Sequence, residues 1–92
     1  MQISFDEPKR LQNLTKHSLD FLDIDIEYFI GSIVVPAKLG RFMTIGVLSG
    51  DVIATVFAKL GSQGVSIVSM RQASRKERKA YEQYSAQKFQ TH

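Results

Sequence analysis

Apolar positions follow two periods along this chain, and the changes between them predict its elements in order. Ile3 and Phe5 alternate with polar neighbours and predict one brief strand. Asp6-Glu7-Pro8 then predicts a helix start: Asp6 can accept from free N–H groups, the two acids suit the positive end of the helix dipole, and Pro8 fits the first turn. This helix is expected to reach Lys16-His17, whose cationic side chains suit its C-terminal end. Leu11 and Leu14 give it a narrow apolar stripe at i, i+3, with Lys9, Asn13, Lys16 and His17 on the other side. Between residues 19 and 29 both periods are present. Phe21, Ile24 and Tyr28 recur near a helical spacing while Leu22, Ile24 and Ile26 alternate, and the balance favours a short helix. Gly31-Ser32 breaks it, and Ile33-Val34-Val35 predicts a short strand that stops before Pro36.

Three clearer strands follow, over residues 42–48, 52–58 and 65–71, separated by the turn Ser49-Gly50-Asp51 and by a loop over 59–64. Strict alternation in the third strand puts Val65, Ile67, Ser69 and Arg71 on one face, and Ser66, Val68 and Met70 on the other. Connections this short imply an antiparallel meander. A last helix is expected from Ser74, an N-cap with Glu77 as its capping-box partner, to about residue 89. Its inward stripe is Ala73, Ala80, Tyr81 and Tyr84, with Glu77 in the same stripe, and Arg75, Arg78, Lys79 and Glu82 on the outer face. The expected fold is α+β: a small antiparallel sheet of about four strands packed with an N-terminal and a C-terminal helix, in one domain over residues 1–92.

Composition adds bounds. A chain of 92 residues buries only about two-thirds of the surface its unfolded form exposes, so a partner would help it. Twelve Lys and Arg against nine Asp and Glu give a formal charge of +3. Placement matters more than the total: Asp20, Asp23, Asp25 and Glu27 are close in sequence, as are Arg71, Arg75, Lys76, Arg78 and Lys79. There is no cysteine, which excludes disulfides and thiolate sites, and the two histidines stand far apart, so no metal centre is expected. No signal peptide and no membrane-spanning apolar run is visible, and a cytoplasmic protein is expected.

The candidate chemistry gathers where the third strand meets the last helix. Arg71 ends the strand just before free helix N–H groups, a common place for anion binding; it could equally just close the strand by pairing with Glu77. Glu77, on the apolar side of its helix, needs a cationic or N–H partner, which the capping box alone could supply. Tyr81 could offer its hydroxyl to a phosphate or stack on a base, or be a core residue with a wet tip. Lys16-His17 could bind phosphate and move a proton, or serve only as a cationic helix end. Arg41 offers a second phosphate contact or a solvated loop charge. The bases at 75–79 form either a solvated face or a contact for an acidic partner.

Read together, the motifs resemble those of the BrnT toxin family from Phe5 to Tyr81. The carriers are Phe5-Asp6-Glu7-Pro8-Lys9 with Asn13 and Lys16-His17, then Phe21 and Phe29, then Arg41 with Ile45-Gly46, and finally Ile67-Val68-Ser69-Met70-Arg71, Ala73, Glu77-Arg78 and Tyr81. The resemblance implies a RelE-like toxin fold and metal-independent endoribonuclease activity with no cofactor. It also implies neutralisation by a BrnA-type antitoxin that carries the DNA-binding module. It makes Arg71, His17, Lys16, Arg41 and Tyr81 the candidate catalytic residues, with Glu77 and Arg78 in support. Three positions depart from the family pattern: Ser66 where Arg is frequent, Gly50-Asp51 where Gly-Arg is frequent, and Met70 for Ala. Two cations are thereby missing from the expected RNA face. The alternative is a catalytically weakened homologue that binds antitoxin as a co-repressor.

Overall fold

The computed structural model describes residues 1–90, with side chains to residue 87. Strands β1 (Gln2–Phe5), β2 (Ile33–Pro36), β3 (Phe42–Leu48), β4 (Asp51–Leu60) and β5 (Gly64–Gln72) form one sheet in the order β1-β5-β4-β3-β2. From β2 to β5 the sheet is the expected meander. The β3–β4 hairpin turns at Ser49 and Gly50, both at positive φ (52° and 86°), the backbone twist that two-residue hairpin loops favour. The sheet has five strands rather than about four and is mixed rather than antiparallel, because β1 pairs parallel with β5. Hairpin reasoning covers only strands adjacent in sequence, and these two are separated by most of the chain.

Helix α1 (Glu7–His17), a 3-10 turn (Phe21–Asp23) and helix α2 (Ile26–Ile30) precede β2, and the core forms where this part of the chain meets one face of the sheet. Phe21, Ile24 and Tyr28, the residues of helical spacing, are buried against Ile53, Phe57, Val65, Ile67 and Met70. The aspartates Asp20 and Asp25 each cap a turn, accepting from the Leu22 and Tyr28 N–H groups. Tyr28 buries a polar tip without loss: its hydroxyl meets the Ile53 carbonyl and the Thr44 and Thr55 hydroxyls at 2.9–3.0 Å. The Ile45-Gly46 pair also acquires a reason, since a Cβ on Gly46 would overlap the Ser32 side chain.

Two expectations change in this layer. Asp6 precedes α1 without a capping bond from its side chain. Leu11 and Leu14 are 49% and 38% exposed, and the buried residue of α1 is Asn13 at 7%. The reason lies in β5. Val56 pairs with Ser69 and Phe57 with Ile67, so Val68 is an extra, unpaired residue, a β-bulge. The alternation expected through this strand therefore breaks at Val68. Met70 joins Val65 and Ile67 in the core, while Ser69 and Arg71 turn to the opposite face. Since β1 ends opposite Ile67, the outer edge of β5 has no strand partner beyond it. Asn13 serves that edge: its Oδ1 accepts from the Met70 N–H (3.0 Å) and its Nδ2 donates to the Leu19 carbonyl (3.1 Å).

Helix α3 (Arg75–Gln90) lies against β3 and β4, its first turn held to the opposite face through Arg71. The expected inward stripe holds at Ala73, which is buried, and at Glu77, Tyr81 and Tyr84, which are half-buried; Ala80 is exposed.

Asn13→Ala strands a buried donor and is expected to cost about 1–3 kcal/mol of stability in urea unfolding. Leu11→Ala, at an exposed position, is expected to stay within about 0.5 kcal/mol. Equal costs would contradict this reading of α1.

Candidate functional site

The bulge sends Arg71 to the sheet face opposite the core, level with Ala54 of β4. Its guanidinium donates to both carboxylate oxygens of Glu77, Nη1 to Oε1 at 2.7 Å and Nη2 to Oε2 at 3.0 Å. It also reaches the Met43 sulfur at 3.8 Å, so it extends across β4 towards β3. Glu77 in turn accepts from the Ser74 N–H (2.8 Å) while its own N–H donates to the Ser74 hydroxyl (3.2 Å), completing the expected capping box. The two readings of Glu77 thus hold together. The Arg71 guanidinium, and secondarily the Ser74 contacts, hold the Glu77 carboxyl at about 2 against the opposing effect of burial. Pairing with Glu77 raises Arg71 in the same way, outweighing desolvation. The Arg71 side chain nevertheless remains 42% exposed. It is a fixed cation with an open side.

Lys16 and His17 lie in a second feature, an open groove of about 260 Å³ between α1 and β5. Lys9, Gln12, Asn13, Lys16 and His17 line one wall, and Val68 and Ser69 the other. Ser69 links the two features: it borders this groove and precedes Arg71 by two residues on the same sheet face, roughly 7 Å away. The structure therefore brings the α1 cations to the edge of the strand that carries Arg71.

Arg41 is not brought to Arg71. It stands in extended backbone immediately before β3, where alternation turns it to the Arg71 face. The residue level with Arg71 is Ile45, four positions on and two strands across, which separates the two arginine backbones by roughly 16 Å. Tyr81 sits one helical turn after Glu77, half-buried, its ring 6.3 Å from that of Tyr84. Arg78 is exposed on α3. Of the two positions expected to lack a cation on the RNA face, Ser66 is on the Arg71 face opposite Ala58, near the Arg41 end. Asp51 falls on the other side: alternation along β4 groups it with Ile53 and Thr55, towards the core layer. That departure removes nothing from the Arg71 face.

Sequence reasoning missed the part of Asn13 that matters, its grip on the open edge of β5, and missed Met43 altogether. A lone polar residue flanked by leucines was the one signal for Asn13. Among the described residues, no three His, Asp or Glu side chains are grouped to hold a metal ion, and no helix is long and apolar enough to cross a membrane.

This geometry can be set beside known proteins. Residues 5–77 match the family described as the ribonuclease toxin, BrnT, of type II toxin–antitoxin systems. The chain belongs to the BrnT family. A solved relative agrees with it: the 1.1 Å crystal structure of the Brucella abortus ribonuclease toxin BrnT is 46% identical with a TM-score of 0.76, over 82% of this chain and 99% of that one. No curated protein sequence matches the chain. The BrnT match ends at Glu77, in the first turn of α3, so most of that helix lies beyond it.

The Glu77 carboxyl, ordinarily near 4.5, is held at about 2 in the folded chain. A depressed carboxyl stabilises the fold above its unfolded value, and that contribution is lost as pH falls from about 4.5 towards 2. Glu77→Gln is expected to flatten the fall in unfolding free energy over this window. An unchanged pH profile would mean that the pair does not persist in solution.

Proposed function

We propose that this BrnT-type toxin cleaves RNA by attack of a 2′-hydroxyl on the adjacent phosphate, with Arg71 as the central phosphate-binding cation. The observation that carries this reading is the guanidinium of Arg71, fixed by Glu77 yet open to solvent, on the strand whose edge borders the Lys16-His17 groove. A cation held in place stabilises developing phosphate charge without having to reorganise. His17 or Lys16 takes the proton from the 2′-oxygen or returns one to the departing 5′-oxygen, leaving a cyclic phosphate on one product and a hydroxyl on the other. Tyr81 positions the substrate. Arg41, too distant in backbone terms to be built into the same clamp, holds a flanking phosphate. No step in this scheme calls for a metal ion. The toxin acts in the cytoplasm and is neutralised by a BrnA-type antitoxin, through which the complex reaches DNA.

Purified protein is expected to cleave RNA in the presence of EDTA. Arg71→Ala should lower the rate by about 10²–10³-fold, the usual cost of removing one charge-stabilising donor. Intact RNA in the presence of folded protein that still binds antitoxin would sink the nuclease reading. The chain would then be an antitoxin-binding co-repressor module.

A further inference from the structure

We infer that the exposed bases of α3 form a second RNA-binding surface, a backbone-tracking row that continues from Arg71 and holds the substrate outside the cleavage centre. The inference rests on the nuclease reading above and extends it to residues that reading leaves unused.

Charge distribution is the first support. Residues 71–79 contain five bases and one acid, a net charge of +4, whereas the whole chain carries +3. The remaining residues therefore sum to −1, and the positive character of this protein resides in one segment. Acids gather elsewhere: Asp23, Asp25 and Glu27 line a pocket with Tyr28 of the core layer. A polyanion approaching this molecule is attracted to one end and repelled by another.

The second support is the pairing pattern. A basic helix face is often neutralised by acids at i, i+3 and i, i+4, as Arg10 of α1 is by Glu7, with Asp20 beyond the helix adding a second carboxylate. On α3 two acids have the spacing to do this; Glu77 is turned to Arg71, and Glu82, at i+4 from Arg78 and i+3 from Lys79, makes no ion pair with either. Arg75, Lys76, Arg78 and Lys79 are all exposed, and among the described residues none of them is in an ion pair, with Glu82 included. Glu77 thus does two things at once. It fixes Arg71, and by facing inward it leaves the exposed bases Arg75, Lys76, Arg78 and Lys79 without an ion-paired acid, with the exposed Glu82 following them.

Position is the third. Arg75, Lys76 and Lys79 are neighbours at i, i+3 and i, i+4 and extend roughly 6 Å along the helix, starting four residues after Arg71. Such an array is sequence-independent, since it meets phosphates and no base edges. Arg75 and Lys76 lie within the residues that match the BrnT family, and Arg78 and Lys79 lie beyond them.

The test uses the full chain and an uncleavable 2′-O-methyl RNA oligonucleotide, so binding is read apart from catalysis. For single strands the salt slope of binding changes by about 0.7 per phosphate contact. The triple variant Arg75→Gln/Lys76→Gln/Lys79→Gln is expected to lower that slope by about 2 and to weaken Kd at low salt by at least about tenfold. On a cleavable RNA it should raise KM while leaving kcat near the wild-type value. A charge-retaining variant, Arg75→Lys with the other two bases intact, should bind as the wild type does. An unchanged slope and Kd in the triple variant, with wild-type protein cleaving RNA, would overturn the inference and leave the nuclease reading standing. Loss of antitoxin binding with RNA affinity intact would overturn it too, assigning the row to a protein interface. Wild-type protein that neither binds nor cleaves RNA would overturn both.

Discussion

The site depends on one extra residue in a strand. Val68 has no partner in β4, and the bulge it creates lets Val65, Ile67 and Met70 all enter the core while Arg71 leaves it. Without that irregularity Arg71 would share a face with Ile67, where burying an unpaired guanidinium costs far more than a fold of this size can offset. Beyond the bulge β1 has ended and the outer edge of β5 is open, and there Asn13 accepts from the Met70 N–H. The same side chain holds α1 against β5. Lys16 and His17 lie one turn further along α1, so the contact that satisfies the open edge of β5 also sets where the α1 cations stand relative to Arg71.

Electrostatics then divides the labour around β5. Glu77 fixes Arg71 in two hydrogen bonds, and the ion pair keeps the carboxylate charged throughout the physiological range. An RNA phosphate that meets Arg71 must share it with Glu77. That weakens ground-state binding but keeps the guanidinium in place, which suits the proposed role of stabilising charge that develops on the phosphate. Binding strength can come from elsewhere, from cations that lack such partners. The outer face of α3 has these, while the buried hydroxyl cluster around Tyr28 is fully satisfied and serves the core alone.

Much of this was legible in the sequence. The strands, the Ser74–Glu77 capping box, the inward residues Phe21, Ile24 and Tyr28, and the BrnT family itself follow from local patterns, and local patterns are what a sequence displays. What escaped was non-local. Nothing in Val68-Ser69 announces a bulge, because a bulge is a mismatch of register with β4 and shows only when the two strands pair. The parallel pairing of β1 with β5 escaped for the same reason. Leu11 and Leu14 suggested an inward stripe since apolar spacing is the usual guide; a backbone donor at the sheet edge required Asn13 to face inward instead. For the candidate site, the Arg71–Glu77 pair was readable, and the separation of Arg41 and the opposite facing of Asp51 were consequences of register.

The central claim is that the face carrying Arg71 is where RNA is held. The most direct measurement is an NMR titration of the full chain with uncleavable RNA, following the Arg71 guanidinium, whose protons the Glu77 pair should protect from exchange. The account predicts saturable shifts at the Arg71 side chain and at Ser69, with the core around Tyr28 unaffected. Shifts confined to the α2 side of the sheet, with Arg71 unmoved at saturation, would contradict it.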